Sequence, residues 1–279
     1  MLNSDLTLHE VAEELGVHYM TAYRYVRLGL LPATKTGGSW RIRRTDLASF
    51  RSGSTATPVA TGRRAPWAHR LESRLVAGDA RGAWGVVEAA LAAGSELDEI
   101  YLEVLSPALV RIGERWESGE IDIAIEHRAT GIAMRLIGRL GPRFVRRGRT
   151  RGAVVLGAPR GERHGIPVAI LADLLRSRGW DVSDLGADTP ASSLAHTATS
   201  TADLGAVGLS VTHHENLGAA TEACGVVRAA DPGLLLVLGG LAVEGPEHAI
   251  ELGGDRYAGS ALAMIELLDE VAGTNVRTR

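Results

Sequence analysis

His164 lies in the first loop after a hydrophobic segment in the C-terminal half of the chain. The stretch V-V-L-G-A-P-R-G-E-R-H-G runs from Val154 to Gly165 and sets this histidine just beyond the apolar residues. In an open α/β sheet, ligands bind where the strands end, and a neutral imidazole is a common metal ligand. His164 is therefore a candidate metal ligand. Glu162, two residues earlier, is the candidate acceptor for the other ring nitrogen.

An isolated loop histidine is more often a simple polar loop residue, so the neighbouring loops matter. The loop after the next apolar segment, residues 186–190, also lies at the carboxyl edge of the predicted sheet, because the loops that follow the strands of a parallel sheet share one edge. This loop supplies a further candidate binding residue, Asp188. The adjacent His213 and His214 suggest a second metal site, but we interpret them as pocket or surface residues because adjacent loop histidines rarely chelate one ion together.

Five apolar segments alternate with segments of helical period after residue 151. They cover residues 153–157, 181–185, 206–211, 234–238 and 256–258. This alternation predicts an α/β doubly wound, Rossmann-like domain with five parallel strands. A dinucleotide site of the Rossmann type is the alternative for such a sheet. It is disfavoured because no G-x-G-x-x-G follows the first strand.

The middle of the chain, residues 67–147, has apolar residues at three- and four-residue spacing. Breaks near Gly78, Gly94, residues 116–122 and Gly141 divide it into about four helices, which predicts a four-helix bundle. Trp116 falls at a helix end, and Glu126 and His127 fall in the first turns of the next helix, with Asp122 as its N-cap. Taken alone, Trp116 is typical of a core anchor and the Glu-His pair of a solvated surface.

The N-terminal residues predict a winged helix-turn-helix. Thr7 and Glu10 have the spacing of a capping box, Gly16 makes the turn, and a second helix opens near His18. Two short strands joined at Gly37-Gly38 would form the wing. A protein-interaction module is the alternative to DNA binding. The candidate DNA-contacting residues are polar or basic and comprise His18, Tyr19, Thr21, Arg24, Arg27, Arg41 and Arg43.

Composition separates the head of the chain from the rest. The 279 residues carry a formal net charge of −3, but residues 1–65 hold nine Arg and Lys against five Asp and Glu. A basic head on an acidic protein indicates a polyanionic partner for the head. Residues 53–66 are rich in Ser, Thr, Gly, Pro and Arg and predict a linker. The expected domains are therefore 1–52 for the head, 67–147 for the bundle and 148–279 for the α/β part.

The length of the apolar runs and the number of cysteines indicate where the protein is located and what redox chemistry it can carry. No apolar run approaches the roughly 20 residues that span a bilayer, and the first residues lack the pattern of a signal peptide, so the cytoplasm is the expected location. Cys224 is the single cysteine, which excludes an internal disulfide and a multi-cysteine zinc site. It is expected to be a buried small residue on a helix.

The C-terminal motifs together resemble the base-off, His-on cobalamin-binding domain. Glu162-Arg163-His164, Ser210-Val211-Thr212 and Gly239-Gly240 follow one another in the order of that family. The resemblance implies that His164 is the lower axial ligand to cobalt, and that the serine-threonine and glycine segments line the slot for the nucleotide tail. One departure is Pro167, which stands where the family has glycine. Proline is compatible with the first turn of a helix.

Over essentially the whole chain, the order of head, bundle and α/β domain resembles the CarH/LitR light-sensing transcription regulators. The head itself is similar to the winged helix-turn-helix of excisionases and MerR-type proteins. In that family, residues corresponding to Trp116, Glu126 and His127 pack over the upper face of adenosylcobalamin. A histidine often follows the tryptophan directly, but here Glu117 follows it, and a carboxylate is a poor replacement for imidazole on cobalt(III).

This resemblance implies a non-enzymatic, adenosylcobalamin-dependent repressor that binds double-stranded operator DNA as a homo-oligomer. The oligomer is expected to be a tetramer in the dark and smaller in the light, with DNA released when light breaks the cobalt–carbon bond. Three alternatives stay open: a light-independent cobalamin sensor, a corrinoid methyl-carrier protein, and a photoreceptor that holds a bilin beside cobalamin. The basic head argues against the methyl carrier, and an absorption spectrum distinguishes the bilin.

Overall fold

A computed structural model of the chain describes residues 5–16, 22–23, 25–26, 31–36, 39–51 and 65–276. They form two compact units: the described parts of residues 1–64 and 258–279 make up one, and residues 65–257 make up the other. None of the helices within the described ranges combines the length and the apolar character that crossing a membrane requires.

The first unit begins with the predicted helix-turn-helix start. Helix α1 (Leu8–Leu15) is capped as expected, since Oε2 of Glu10 accepts from the Thr7 amide at 2.7 Å and Oγ1 of Thr7 accepts from the Glu10 amide at 3.3 Å. Gly16 ends the helix with φ of 64°. Strands β1 (Thr34–Thr36) and β2 (Ser39–Arg41) pair antiparallel, which confirms the predicted wing strands, and helix α2 (Arg44–Arg51) follows.

One apolar core holds the described parts of this unit together. The amide of Leu6 donates to the carbonyl of Ile42 at 2.7 Å, and the reverse bond measures 2.8 Å, which ties the start of the chain to the wing. Leu262 of the C-terminal helix packs against the same core. The buried members are Leu6, Leu8, Val11, Ala12, Ala22, Tyr23, Val26, Leu31, Ile42 and Leu47.

The second unit opens with the predicted helical bundle. Its helices are α3 (Trp67–Val76), α4 (Ala80–Ala92), α5 (Leu97–Glu99), α6 (Ser106–Glu117) and α7 (Ile123–Leu140). A six-residue π-helical segment, Ile100–Leu105, joins α5 to α6 in one continuous rod, so four rods form the bundle as expected. The π-helical turn itself was not predicted, because its apolar spacing is close to that of an α-helix. A 3₁₀ turn at Gly141–Arg143 closes the bundle.

A five-stranded sheet follows, and its strands agree with the predicted segments within two residues. They are β3 (Ala153–Gly157), β4 (Asp181–Asp184), β5 (Leu204–Ser210), β6 (Leu236–Gly239) and β7 (Arg256–Ala258), in the spatial order β4-β3-β5-β6-β7. The registered pairs from β4 to β6 are parallel. The helices after β3 to β7 are, in turn, α8 (Ile166–Ser177), α9 (Ala191–Ser200), α10 (Leu217–Ala230), α11 (Pro246–Glu251) and α12 (Ala261–Val276).

Candidate functional site

The strand order creates a crevice beside His164. The chain runs from β3 outward to β4, then returns to β5 on the other side of β3. The order therefore reverses between β3 and β5, and in open α/β sheets ligands bind outside the carboxyl ends of the strands at such a switch point. The loop after β3 carries His164, and the loop after β5 carries Thr212. The topology thus brings two of the candidate segments to the edges of one crevice.

Glu162 orients the imidazole of His164. The Nδ1 atom of His164 lies 2.5 Å from Oε1 of Glu162, whose side chain is 0% exposed, whereas the His164 side chain is 43% exposed. An ionised carboxylate only accepts hydrogen bonds, so Nδ1 carries a proton, and in the neutral ring Nε2 is then the nitrogen with the lone pair. A histidine held in this way presents Nε2 to a metal, as predicted for an orienting partner.

The same carboxylate also binds the loop after β5. Its Oε2 accepts from the amides of Thr212 at 2.8 Å and His213 at 3.0 Å, and from Nδ2 of Asn216 at 3.1 Å. Burial alone would raise the pKa of Glu162, but the hydrogen bonds from His164 and from the backbone outweigh it and lower the pKa to about 2. The carboxylate is therefore charged at neutral pH and fully partnered, which offsets the cost of its burial.

Asp188 holds the His164 loop from the other side. It has φ of 52°, an uncommon value for a residue with a side chain, and its Oδ1 accepts from the amide of Gly161 at 2.7 Å. Its own amide donates to the carbonyl of Glu162 at 2.8 Å. The structure thus places Asp188 at the predicted sheet edge, where it supports the loop of His164.

The ends of β5 and β6 meet without space for a side chain between them. A Cβ atom on Gly240, which has φ of 99°, would lie 2.2 Å from the carbonyl oxygen of Val211. Ser210 ends β5 opposite Gly239, and the amide of Val211 donates to the carbonyl of Gly239 at 2.8 Å. The candidate tail-slot residues Ser210, Gly239 and Gly240 therefore lie together at the carboxyl ends of adjacent strands.

Pro167 is accommodated by the helix that follows His164. Helix α8 begins at Ile166, so this proline lies in the first turn. The first amides of an α-helix have no partner within the helix, so proline there loses no hydrogen bond. The departure from glycine at this position therefore leaves the helix start intact.

One end of the bundle gathers Trp116, Glu126 and His127. Trp116 lies near the end of α6, and α7 starts after residues 118–122, with Oδ1 of Asp122 accepting from the amide of Ala124 at 2.7 Å as predicted for the N-cap. The indole is 39% exposed, which is unusual for a core anchor. Nδ1 of His127 lies 2.7 Å from Oε2 of Glu126, and the imidazole is 74% exposed.

Thr130 orients the carboxylate of Glu126. Its hydroxyl donates to Oε1 of Glu126 at 2.6 Å from the next turn of α7. The two oxygens of Glu126 therefore have separate partners, one in Thr130 and one in His127. An exposed aromatic, an oriented carboxylate and an exposed imidazole can together contact a polar ligand with an apolar face.

The candidate DNA-contacting residues are only partly described. His18, Tyr19, Thr21, Arg24 and Arg27 lie outside the described residues. On the wing, Arg41 ends β2 and is half-buried, and Arg43 is exposed just before α2. Arg44 forms an ion pair with Glu14 at 2.9 Å, which joins α2 to α1 within the head.

Two further residues lie near His164: His213, which the sequence suggested as a pocket or surface residue, and Asn216, which the sequence did not single out. The ring of His213 lies 4.8 Å from that of His164, measured between centroids, at an angle of 47°. Asn216 supplies a side-chain bond to Glu162. Among the described residues, no group of three or more His, Cys, Asp or Glu is placed to hold a metal ion. The position of Asn216 on a loop at the carboxyl edge of the sheet was its only sequence signal.

Three segments of the chain match family models. Residues 6–54 match a helix-turn-helix domain, residues 67–140 match a B12 binding domain, and residues 152–266 match a second B12 binding domain. The chain joins a helix-turn-helix domain to two B12-binding domains. The second B12-binding segment contains every candidate residue of the sheet edge, and the first contains Trp116, Glu126 and His127.

One curated relative and one solved structure are similar to parts of this chain. The chain is 31% identical to trimethylamine corrinoid protein 1 of Methanosarcina acetivorans over 113 residues, a match that covers 38% of this chain and half of the relative. In structure it is similar to the monomethylamine corrinoid protein of Methanosarcina barkeri, with a TM-score of 0.59 and 19% identity over 75% of this chain and 96% of that protein. The second likeness shows a common fold.

The residues at the sheet edge fit a cobalt corrinoid. A single imidazole with a free Nε2, backed by a buried carboxylate, would supply one nitrogen to cobalt, and the corrin ring would bring the others, so no further protein ligand is required. At the same edge of the sheet, Gly240 lies directly against the backbone of Val211, so the ends of β5 and β6 pack closely together. The match to B12-binding domains and the arrangement of His164 are therefore consistent with the same kind of ligand.

Proposed function

We propose that the chain is an adenosylcobalamin-dependent, light-responsive transcriptional repressor of the cytoplasm. It binds double-stranded operator DNA as a homo-oligomer in the dark, a tetramer by resemblance, and releases it in the light. The protein acts by binding and has no catalytic role. The observation that carries the proposal is the presence of a helix-turn-helix domain and two B12-binding domains in one chain.

His164 would hold cobalamin from below. Its Nε2 is free because Nδ1 is committed to Glu162 at 2.5 Å, and Glu162 is itself held by the loop after β5. A ligand imidazole oriented by a buried carboxylate is both more basic and less mobile than a free one. This arrangement would retain the cofactor, whichever upper ligand it carries.

The exposed end of the bundle would sense the upper ligand. When bound, adenosylcobalamin supplies a cobalt–carbon bond that green or blue light breaks. Trp116, with its exposed indole, and Glu126, oriented by Thr130 and His127, would contact the adenosyl group. Loss of these contacts changes the relative free energy of two assembly states, which is how a ligand acts on such an equilibrium.

Assembly matters because each head is small. Joining several heads in one oligomer raises the apparent affinity for DNA by about 10²–10⁴-fold without any new contact in a single head. Dissociation of the oligomer then releases DNA even though the heads are unchanged. The basic excess of residues 1–65 suits the head to a polyanion.

A corrinoid carrier for methyl transfer is the second candidate function. It is favoured by the 31% identity with a protein named as a trimethylamine corrinoid protein. That match covers half of the relative, and the helix-turn-helix segment, residues 6–54, is additional to what a carrier requires. The regulator therefore explains more of the chain.

Size-exclusion chromatography of the protein loaded with adenosylcobalamin tests the proposal. The sample is run in darkness and again after green illumination, with absorption followed across each peak and DNA binding measured on both fractions. We expect a large dark species that binds DNA and a smaller illuminated species that does not. Bound cobalamin with unchanged size and unchanged DNA binding would indicate a light-independent sensor or carrier. An added red absorption band would indicate a bilin.

Trp116→Ala tests the sensing end of the bundle in the same experiment. This variant keeps His164 and should retain cobalamin, but its size should respond less to light. Unchanged light-dependent assembly would refute the role of the indole. Glu117→Gln is the matched control, because it alters the neighbouring exposed residue without removing the aromatic ring.

A further inference from the structure

A buried hydrogen bond joins the helical bundle to the α/β domain. The hydroxyl of Tyr101, a residue with 0% exposure in the π-helical segment, donates to Oδ2 of Asp173 on α8 at 2.7 Å. Asp173 is buried as well. Both residues belong to the second compact unit, so the bond links two parts of one body.

Each partner is fixed within its own domain. In the bundle, the ring of Tyr101 stacks on Phe144 with centroids 4.7 Å apart and planes at 18°. In the α/β domain, Oδ1 of Asp173 accepts from Arg176 at 2.9 Å, and Arg176 also donates to the carbonyl of Val182 in β4 at 3.0 Å. The bond therefore connects two rigid anchors.

The backbone approaches closely at the same place. A Cβ atom on Gly141, at the end of α7, would lie 3.1 Å from Oδ2 of Asp173. This contact leaves little freedom for the bundle to shift along α8. Burial raises the pKa of Tyr101 well above its usual range, and the neighbouring Asp173 adds to the effect, so the phenol remains a donor at any physiological pH.

The two anchors lead directly to the two halves of the candidate site. Tyr101 precedes α6, which ends near Trp116, and Asp173 is on α8, which begins just after His164. An α-helix is stiff and rises about 1.5 Å per residue. A change in the direction of the helix at one end therefore displaces the residues at its other end. π-Helical turns are rare and occur often at functional positions.

We propose that Tyr101 and Asp173 are positioning residues that set the orientation of the helical bundle on the cobalamin-binding domain, and with it the place of Trp116 relative to His164. The orientation itself follows from the hydrogen bond and the stack. Its effect on the cofactor rests on the proposed function. A directional bond between two buried groups selects one docking angle, which apolar contact alone does less well.

Distance measurement between two spin labels tests the orientation without any cofactor. Cysteines are introduced by Val110→Cys on α6 and Ile250→Cys on α11, both at exposed positions, in a Cys224→Ala background of the full chain. Tyr101→Phe removes one oxygen atom and keeps the ring. A hydrogen bond to a charged group is worth about 1.5–3 kcal/mol. Its loss should therefore lower the ratio of molecules in which the bundle is docked on α8 to molecules in which it is not by about tenfold or more.

Glu72→Gln is the matched control. Glu72 is buried and bonded to Arg111 at 2.6 Å and Arg115 at 3.1 Å, all within the bundle, so its loss weakens the bundle without touching the link to α8. The label distances should broaden in Tyr101→Phe and stay narrow in Glu72→Gln. Equal broadening in both variants, or in neither, would overturn the proposal. Asp173→Asn provides a second variant if Tyr101→Phe does not fold.

Titration with adenosylcobalamin, followed by absorption, gives the second measurement. Tyr101→Phe should weaken cofactor binding and leave the spectrum of the His164-ligated form unchanged at saturation. If neither the unaltered protein nor the variant binds cobalamin, the proposed function is wrong, while the label distances still decide the role of Tyr101. Unchanged binding together with broadened distances would restrict the positioning role to the fold and overturn its effect on the cofactor.

Discussion

The Nδ1 atom of His164 lies 2.5 Å from Oε1 of Glu162, a carboxylate with no exposed surface. The other oxygen of this carboxylate accepts two backbone amides from the loop after β5. Glu162 therefore orients the candidate axial ligand and joins the two loops that border the crevice. A single substitution at this residue should affect both the imidazole and the crevice.

Glu162→Gln should lower cobalamin affinity about 10–100-fold, the usual effect of removing the partner that orients a metal-bound histidine. The side-chain amide of the glutamine keeps one acceptor oxygen. Its NH₂ group, however, would face groups that themselves donate hydrogen bonds to Glu162. Equilibrium dialysis against adenosylcobalamin measures the change. Glu215→Gln, at an exposed position of the loop after β5, should bind like the unaltered protein. Equal affinity of both variants would contradict the assigned role.

His164→Ala should remove the axial imidazole and leave the fold of the sheet in place, because the side chain is 43% exposed. The absorption spectrum of added cobalamin should then lack the signature of histidine ligation, and retention on gel filtration should drop. His213→Ala, which alters the neighbouring ring, should keep that signature. Histidine ligation that persisted in His164→Ala and vanished in His213→Ala would reverse the assignment.

Gly240→Ala should destabilise the α/β domain by about 2 kcal/mol or more. The added Cβ would lie 2.2 Å from the carbonyl oxygen of Val211, and the residue has φ of 99°, so both sterics and backbone conformation oppose alanine. Urea unfolding measures the loss. Gly225→Ala on α10 is the control, because nothing lies within 4 Å of its added Cβ and alanine favours helix. A stable Gly240→Ala protein would show that the strand ends can separate.

Glu72→Gln should cost about 1–2 kcal/mol of stability near neutral pH. Burial alone would raise the pKa of Glu72, but the hydrogen bonds and charges of Arg111 and Arg115 outweigh it and lower the pKa below 4.5. A lowered folded-state pKa contributes stability above the unfolded value, and this contribution disappears as the pH falls through the folded value. The difference between the two proteins in urea unfolding should therefore shrink in acid. A difference independent of pH would contradict the ionic origin.

Glu120→Gln is the control for that experiment. Glu120 also pairs with Arg115, at 2.9 Å, but its side chain is 61% exposed. Exposed ion pairs contribute about 0.2–1 kcal/mol, so this variant should unfold almost like the unaltered protein at any pH.

Cys224 should react slowly with a thiol reagent in the native protein. It is buried on α10, as predicted, and burial raises its pKa to about 11. Near pH 8, a thiol with that pKa is ionised to about one part in a thousand, and only the thiolate reacts. Because Cys224 is the single cysteine of the chain, the extent of iodoacetamide labelling measured by mass spectrometry reports on this residue alone. Fast labelling without denaturant would contradict its burial.

The sequence alone determined which segments are helices and which are strands, and it located His164 at the carboxyl edge of the sheet. Apolar periodicity located the five strands and the four rods of the bundle, because strands and helices repeat with different periods. The capping box of Thr7 and Glu10, the N-cap Asp122 and the first-turn position of Pro167 were also predictable, since each depends on residues near in sequence. The position of His164 after β3 was predictable for the same reason.

The tertiary structure decided which distant residues meet. The bonds of Glu162 to Thr212, His213 and Asn216 span 50 or more positions and exist because β5 returns beside β3. The bond between Tyr101 and Asp173 joins residues 72 positions apart and depends on how the bundle docks on α8. Local periodicity carries no information about such pairs, because a buried polar contact is selected by the geometry of the folded chain rather than by spacing along it.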